Sequence, residues 1–182
     1  MAISTEEQAF ADLLALSTGF QTSLIIGFIE RKGTSFYNSA AVIKKGRHDG
    51  RYSKIHTNEA GFDVGDGFPV FVSHDWRLAV NICNDANFPE TALRFSQQGA
   101  RLLCYPLKNM LLPATAERWR QRSLENLRQR ATDTGCWIIS SDVVGEQDGK
   151  ISYGCTCIVK PDGSIAAKVA ESVEGEIIHE LF

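Results

Sequence analysis

The cysteine at position 83 stands where a strand gives way to a polar loop and then a helix, in the stretch Leu78-Ala-Val-Asn-Ile-Cys-Asn-Asp-Ala-Asn-Phe-Pro-Glu90. Leu78, Val80 and Ile82 alternate with Ala79, Asn81 and Cys83, so the sulfur shares a face with small and polar residues. Pro89 suits a first helical turn, where its missing N–H costs nothing, and Gly99 suits the stop. A thiol beside the positive end of a helix dipole is biased toward thiolate, the nucleophilic form. The alternative is a buried thiol that only packs. Other chemistry is thinly signalled. His48, His56, His74 and His179 are scattered without zinc-ligand spacing, and none of the five cysteines pairs into a metal or redox motif. Cys155 and Cys157 flank Thr156 on one strand face, which fits neighbouring buried thiols better than a disulfide.

The elements that must position Cys83 follow from periodicity. Residues 4–18 read as a helix with Phe10, Ala11, Leu13 and Leu14 on its apolar stripe, stopped by Gly19. Ser23 to Glu30 and Phe36 to Lys44 read as a hairpin across Lys32-Gly33, and a turn at Gly46 to Gly50 leads into a strand from Arg51 to His56. Thr57 to Gly67 is a loop. Phe68 to Ser73 and Arg77 to Cys83 form a second hairpin. The helix Pro89 to Gln98 and the strand Arg101 to Tyr105 complete a β-α-β unit. Thr115 to Thr134 is the longest helix, with Ala116, Trp119, Ser123, Leu124, Leu127 and Ala131 on one face and Gly135 beyond it. Strands are expected at Cys136 to Ser141, Ile151 to Lys160, Ser164 to Ala170 and Glu176 to Leu181, joined by turns at Gln147-Asp-Gly149 and Pro161-Asp-Gly163. The expectation is a layered α/β architecture in a single domain spanning residues 1–182.

Composition bounds the function classes. A chain of 182 residues with 43% hydrophobic and 23% charged residues can bury a proper core. A net charge of −3 leaves no electrostatic footprint for nucleic acid, and the arginines at 118, 120, 122, 128 and 130 spread around their helix instead of forming one basic face. No apolar run approaches the ~20 residues of a membrane span. The opening Met1-Ala-Ile-Ser-Thr-Glu-Glu has neither the basic nor the apolar region of a secretory signal, so a reducing cytoplasm is the expected compartment.

Three local patterns occur in one order: Gly27-Phe-Ile-Glu30 with Tyr37-Asn-Ser-Ala40; then Arg51-Tyr-Ser-Lys-Ile-His56; then Ile82-Cys-Asn-Asp-Ala-Asn-Phe-Pro-Glu90 with Gln98-Gly-Ala-Arg101. Arg130-Ala131 with Asp133, and Tyr153-Gly154 ahead of Pro161-Asp-Gly163, continue the series. In that order they resemble the carbon–nitrogen hydrolase (nitrilase) family. The resemblance implies an αββα four-layer sandwich that assembles as a homodimer or larger homo-oligomer, and a Glu-Lys-Cys triad acting on amides or nitriles without metal or organic cofactor. By position Cys83 matches the nucleophile and Lys54 the triad lysine. The backbone N–H of Asn84 matches an oxyanion donor. Glu59 answers to an accessory glutamate after the lysine, at a shorter spacing than is usual; a solvated loop carboxylate is its other reading. Cys83-Asn84-Asp85 with Phe88-Pro89-Glu90 looks like the amidase and carbamoylase members, whereas true nitrilases carry Trp-Glu after the cysteine. A linear amide or carbamoyl amide is therefore the expected small-molecule substrate, cleaved through a thioester on Cys83.

One departure stands out. The family's triad glutamate belongs to a Pro-Glu motif on a strand preceding the Gly27-Phe-Ile-Glu30 segment, and this chain opens on the helix just before Ser23. The expected sandwich thus lacks its first strand, helix and strand, as in an N-terminally truncated member. Glu30 matches a different position, and Glu90 reads as a structural acid at a helix start. Two functions stay open: a thiol-dependent amidohydrolase, impaired by the absent base, or an inactive remnant acting by binding or assembly. Phe62, Asn109, Met110 and Trp137 suit either a pocket lining or the core.

Overall fold

A computed structural model describes residues 2–182. The helix α1 spans Gln8–Leu16. It precedes three antiparallel strands, β1 (Ser23–Lys32), β2 (Ser35–Lys44) and β3 (Arg47–Ser53), ordered β1-β2-β3. There follow β4 (Phe71–Ser73), β5 (Trp76–Val80), the helix α2 (Pro89–Gln97), β6 (Leu102–Pro106), the helix α3 (Pro113–Thr134) and β7 (Trp137–Ser141). A small hairpin of β8 (Gly145–Gln147) and β9 (Lys150–Ser152) leads to β10 (Cys157–Val159) and β11 (Ile165–Lys168). The second sheet has six strands in the order β11-β10-β7-β6-β5-β4, with β5, β6 and β7 parallel.

The expected four layers are present. In β2, Ala41 and Ile43 face Phe10 of α1, while Ala40 and Val42 on the opposite face join the main core between the sheets. The main core continues through Val80, Leu103 and Ile138 of the parallel strands to Phe95 of α2 and Leu127 and Ala131 of α3. Buried on both faces, β6 reads Leu-Leu-Cys-Tyr, a continuous apolar run without alternation.

Some boundaries move. The turn expected at Gly46 to Gly50 shortens to Lys45-Gly46, and residues 47–50 lie inside β3, where the ladder shifts register between Val42 and Ile43 and Gly50 takes φ 144°. The single strand expected from Ile151 to Lys160 breaks into β9 and β10 because Gly154 turns the chain with φ 80°. Glu176 to Leu181 is no strand: Ile177 and Leu181 pack on the core and Ile178 is exposed, but no neighbouring strand pairs with them among the described residues. Alternation there reports one-sided burial and not a ladder.

No helix among the described residues is long and apolar enough to cross a membrane. Among the described residues, no three His, Cys, Asp or Glu side chains gather as a metal site would require.

Candidate active site

Cys83 sits just beyond the parallel strand β5 and opens a short 3₁₀ turn, Cys83–Asn87. Its φ of 45° places a non-glycine residue in the left-handed region, a conformation that persists only where surrounding contacts enforce it. Those contacts are explicit. The buried Asp85 carboxylate accepts hydrogen bonds from the Ile82 N–H at 2.8 Å, the His56 N–H at 2.9 Å and the Tyr52 hydroxyl at 2.9 Å. One carboxylate thus ties the cysteine turn to the segment bearing Lys54. From the other side, Arg130 of α3 donates to the Ala86 carbonyl at 3.0 Å and pairs with Asp133 at 2.7 Å. Asn126 donates to Asn87 Oδ1.

Lys54 follows β3 and its side chain is wholly buried. Its Nζ donates to Glu59 Oε1 at 2.7 Å, Glu59 Oε2 at 3.0 Å and Asn58 Oδ1 at 3.1 Å. The short spacing from Lys54 to Glu59 therefore closes a tight loop on itself. Burial alone would push the Glu59 carboxyl up, yet hydrogen bonds from Lys54 and the Asn58 N–H, with the charge of Lys54, hold it below the usual glutamate value. Gly65 completes the loop, donating its N–H to the Lys54 carbonyl at 2.9 Å.

The ammonium of Lys54 lies within coulombic reach of the Cys83 thiol, as does the carboxylate of Glu59. Cys83 is partly exposed, whereas the other four cysteines are buried, so it alone among them meets solvent. Burial nevertheless dominates and pushes its thiol up; the Lys108 N–H and Lys54 oppose this, while Asp142 and Glu59 add to it. The helix that sequence reading placed behind the sulfur begins only at Pro89, with the 3₁₀ turn standing between them. The Asn84 side chain is spent structurally, donating to the His56 carbonyl at 2.8 Å and accepting from Asn87 at 2.8 Å. Its backbone N–H, in the first turn where no intrahelical partner exists, is what it can offer a ligand.

Of two further site residues, the sequence marks Asn109 only as pocket lining or core and does not mark Asp142 at all. Asn109 Oδ1 lies 3.7 Å from Cys83 Sγ, and Asp142, after β7, holds Asn109 through two hydrogen bonds. Asn109 thus reaches the site, whereas Trp137 is core. His56 stacks on Phe88 at 3.8 Å and bonds Thr91, a structural arrangement, with Glu90 3.8 Å from its ring at the start of α2.

A buried lysine, an adjacent carboxylate and a strained cysteine at the strand tips now have a family context. The carbon–nitrogen hydrolase model matches residues 1–181. The chain belongs to the carbon–nitrogen hydrolase family. It is 30% identical over 162 residues to a nitrilase of Pyrococcus abyssi (strain GE5 / Orsay), covering 87% of this chain and 58% of that one. It is 28% identical over 178 residues to an N-carbamoylputrescine amidase of Arabidopsis thaliana, covering 86% of this chain and 58% of that one. The fold matches a carbon–nitrogen hydrolase of Helicobacter pylori G27 with a TM-score of 0.83 and 26% identity, over 93% of this chain and 65% of that one. The chain therefore spans about three-fifths of the length of these relatives.

Proposed function

We propose that this carbon–nitrogen hydrolase cleaves a linear amide or carbamoyl amide through a thioester on Cys83. The observation carrying the reading is the convergence of Lys54 and Cys83: an ammonium with no exposed side-chain surface sits within electrostatic reach of the one partly exposed thiol. The Cys83 sulfur adds to the carbonyl carbon while its proton passes to Glu59, the carboxylate already bound to Lys54. The tetrahedral oxyanion rests on the Lys54 ammonium and the Asn84 N–H, donors in place before the charge develops. Collapse breaks the C–N bond, and ammonia or an amine leaves with the proton. Water then cleaves the S–C bond and frees the acid. Splitting the reaction this way replaces one hard step by two easier ones.

The amide class rests on Cys83-Asn84-Asp85 in place of the cysteine-Trp-Glu of true nitrilases, and on the similarity to an N-carbamoylputrescine amidase. The test is ammonia release from a panel of small amides by the parent and by Cys83→Ala. Release by the parent and none by the variant supports the reading; equal release by both overturns it.

A second reading is favoured by two features. Burial holds the Cys83 thiol up, and Glu59 Oε1 already accepts from both Lys54 and Asn38. On that reading the chain binds or assembles without turnover. An acyl adduct on Cys83, seen by mass spectrometry after amide treatment, would exclude it.

A further inference from the structure

Asn109 reaches Cys83 from the loop after β6, and its two nitrogens are already engaged. The backbone N–H donates to Asp142 Oδ1 at 3.0 Å and Nδ2 donates to Asp142 Oδ2 at 2.7 Å. A carboxylate can only accept, so the NH₂ end of the carboxamide must face Asp142 and the oxygen must face away. That oxygen is the atom 3.7 Å from Cys83 Sγ, where it accepts from the S–H. Asp142 is itself held in place: its N–H donates to Thr156 Oγ1 at 3.0 Å, and the Thr156 hydroxyl lies 3.5 Å from the Asp142 carbonyl.

We propose that Asp142, acting through the Asn109 carboxamide, is a positioning residue that keeps the proton on Cys83 until substrate arrives. The inference rests on reading Cys83 as the reacting thiol. An acceptor aimed at sulfur favours the S–H form and repels the thiolate; the reverse amide orientation would do the opposite, and Asp142 forbids it. The charged and polar groups around the sulfur divide accordingly. Lys54 and the Lys108 N–H favour the thiolate, while Asp142 and Glu59 oppose it together with burial. The consequence is a nucleophile that is guarded at rest against adventitious electrophiles and released when a bound carbonyl, or the base taking the proton, breaks the contact to Asn109.

Alkylation of the folded protein by iodoacetamide, followed at Cys83 by peptide mass spectrometry across a pH series, reads this directly. The thiolate displaces iodide, an S–C bond forms and the thiol proton goes to solvent, so the rate tracks the thiolate population. Asp142→Asn frees the Asn109 carboxamide to turn, and Asn109→Leu removes the acceptor while leaving Asp142 in place. Each is expected to move the midpoint of the rate profile to lower pH and to raise the rate near neutral pH about three- to tenfold, the weight of one hydrogen bond. Folding is checked by circular dichroism; if Asp142→Asn does not fold, Asn109→Leu carries the decision alone. A midpoint unmoved or raised in the folded variants overturns the proposal. Ammonia release is scored separately. A lowered midpoint in a protein that hydrolyses no amide sustains this inference and removes the hydrolase reading, and an unmoved midpoint in an active hydrolase does the reverse.

Discussion

At the residue scale the site is a balance of charges on one sulfur. Lys54 pulls the thiol toward thiolate, but Glu59, which it binds through both carboxylate oxygens, opposes it. That pair has a pH signature. The Glu59 carboxyl is held below its ordinary value of 4.5 in the folded chain, so its contribution to stability is present above 4.5 and lost as pH falls through the lower folded-state value. Thermal melts across an acid series should therefore show the parent losing stability below pH 4.5 more steeply than Glu59→Gln, which has no carboxylate to protonate. Equal acid slopes would mean that the Lys54–Glu59 contact contributes nothing to the fold. Cys83, Lys54 and the Glu59 loop were legible in the sequence because each lies within a short, ordered pattern. Asn109 was legible there only as pocket lining or core and Asp142 not at all, since 33 residues separate partners that meet only when β6 and β7 lie side by side.

Elements place those residues by pinning loops to strand tips. The Lys54 loop returns across Gly65, where a Cβ would stand 2.0 Å from the Ser53 carbonyl oxygen and 2.6 Å from its carbon. Backbone cannot yield that distance without moving, so Gly65→Ala should displace the Lys54 segment by overpacking, at a cost of about 1–3 kcal/mol. The expected outcome is a lowered denaturant midpoint together with loss of ammonia release, and a variant that keeps both would show that the loop closure is dispensable. The β-α-β unit around α2 and the long α3 were readable from apolar spacing and from Pro89, Gly99 and Gly135. The 3₁₀ turn at Cys83 was not, because it is held through its own Asp85, a buried acid whose three donors come from β3, from the segment after it and from Ile82. Sequence periodicity cannot report a conformation that tertiary hydrogen bonds dictate.

For the whole molecule, β1 forms one edge of the three-stranded sheet among the described residues. Ile3 bridges to β1 in parallel, donating to the Ile29 carbonyl and accepting from the Arg31 N–H. Residues of that parity, Ser23, Ile25 and Gly27, also turn their backbone groups outward, and among the described residues nothing pairs with them. Between this margin and the inner faces of β5, β6 and β7 runs a groove of about 600 Å³ lined by Ile25, Trp76, Leu78, Leu102, Ile139 and Leu181. Open margins of this kind invite pairing with another chain. The assembly inferred from the family resemblance, a homodimer or larger homo-oligomer, thus has a physical motive. Sedimentation velocity at micromolar concentration should give a mass above one chain; a monomer at every concentration would refute it. The layered α/β class was legible from paired strands and a β-α-β unit, whereas the four-layer sandwich came from the family resemblance. How its margin is completed was not legible, since an edge is defined by what lies beside it and not by the residues it contains.

The backbone at residue 83 narrows what this position can become. With φ at 45°, a side chain branched at Cβ collides with its own main chain, so threonine is barred and serine is the only oxygen counterpart that fits. Glycine would relax the turn and firm the fold while erasing the chemistry. Selection for hardiness and selection for reactivity therefore pull this one site in opposite directions.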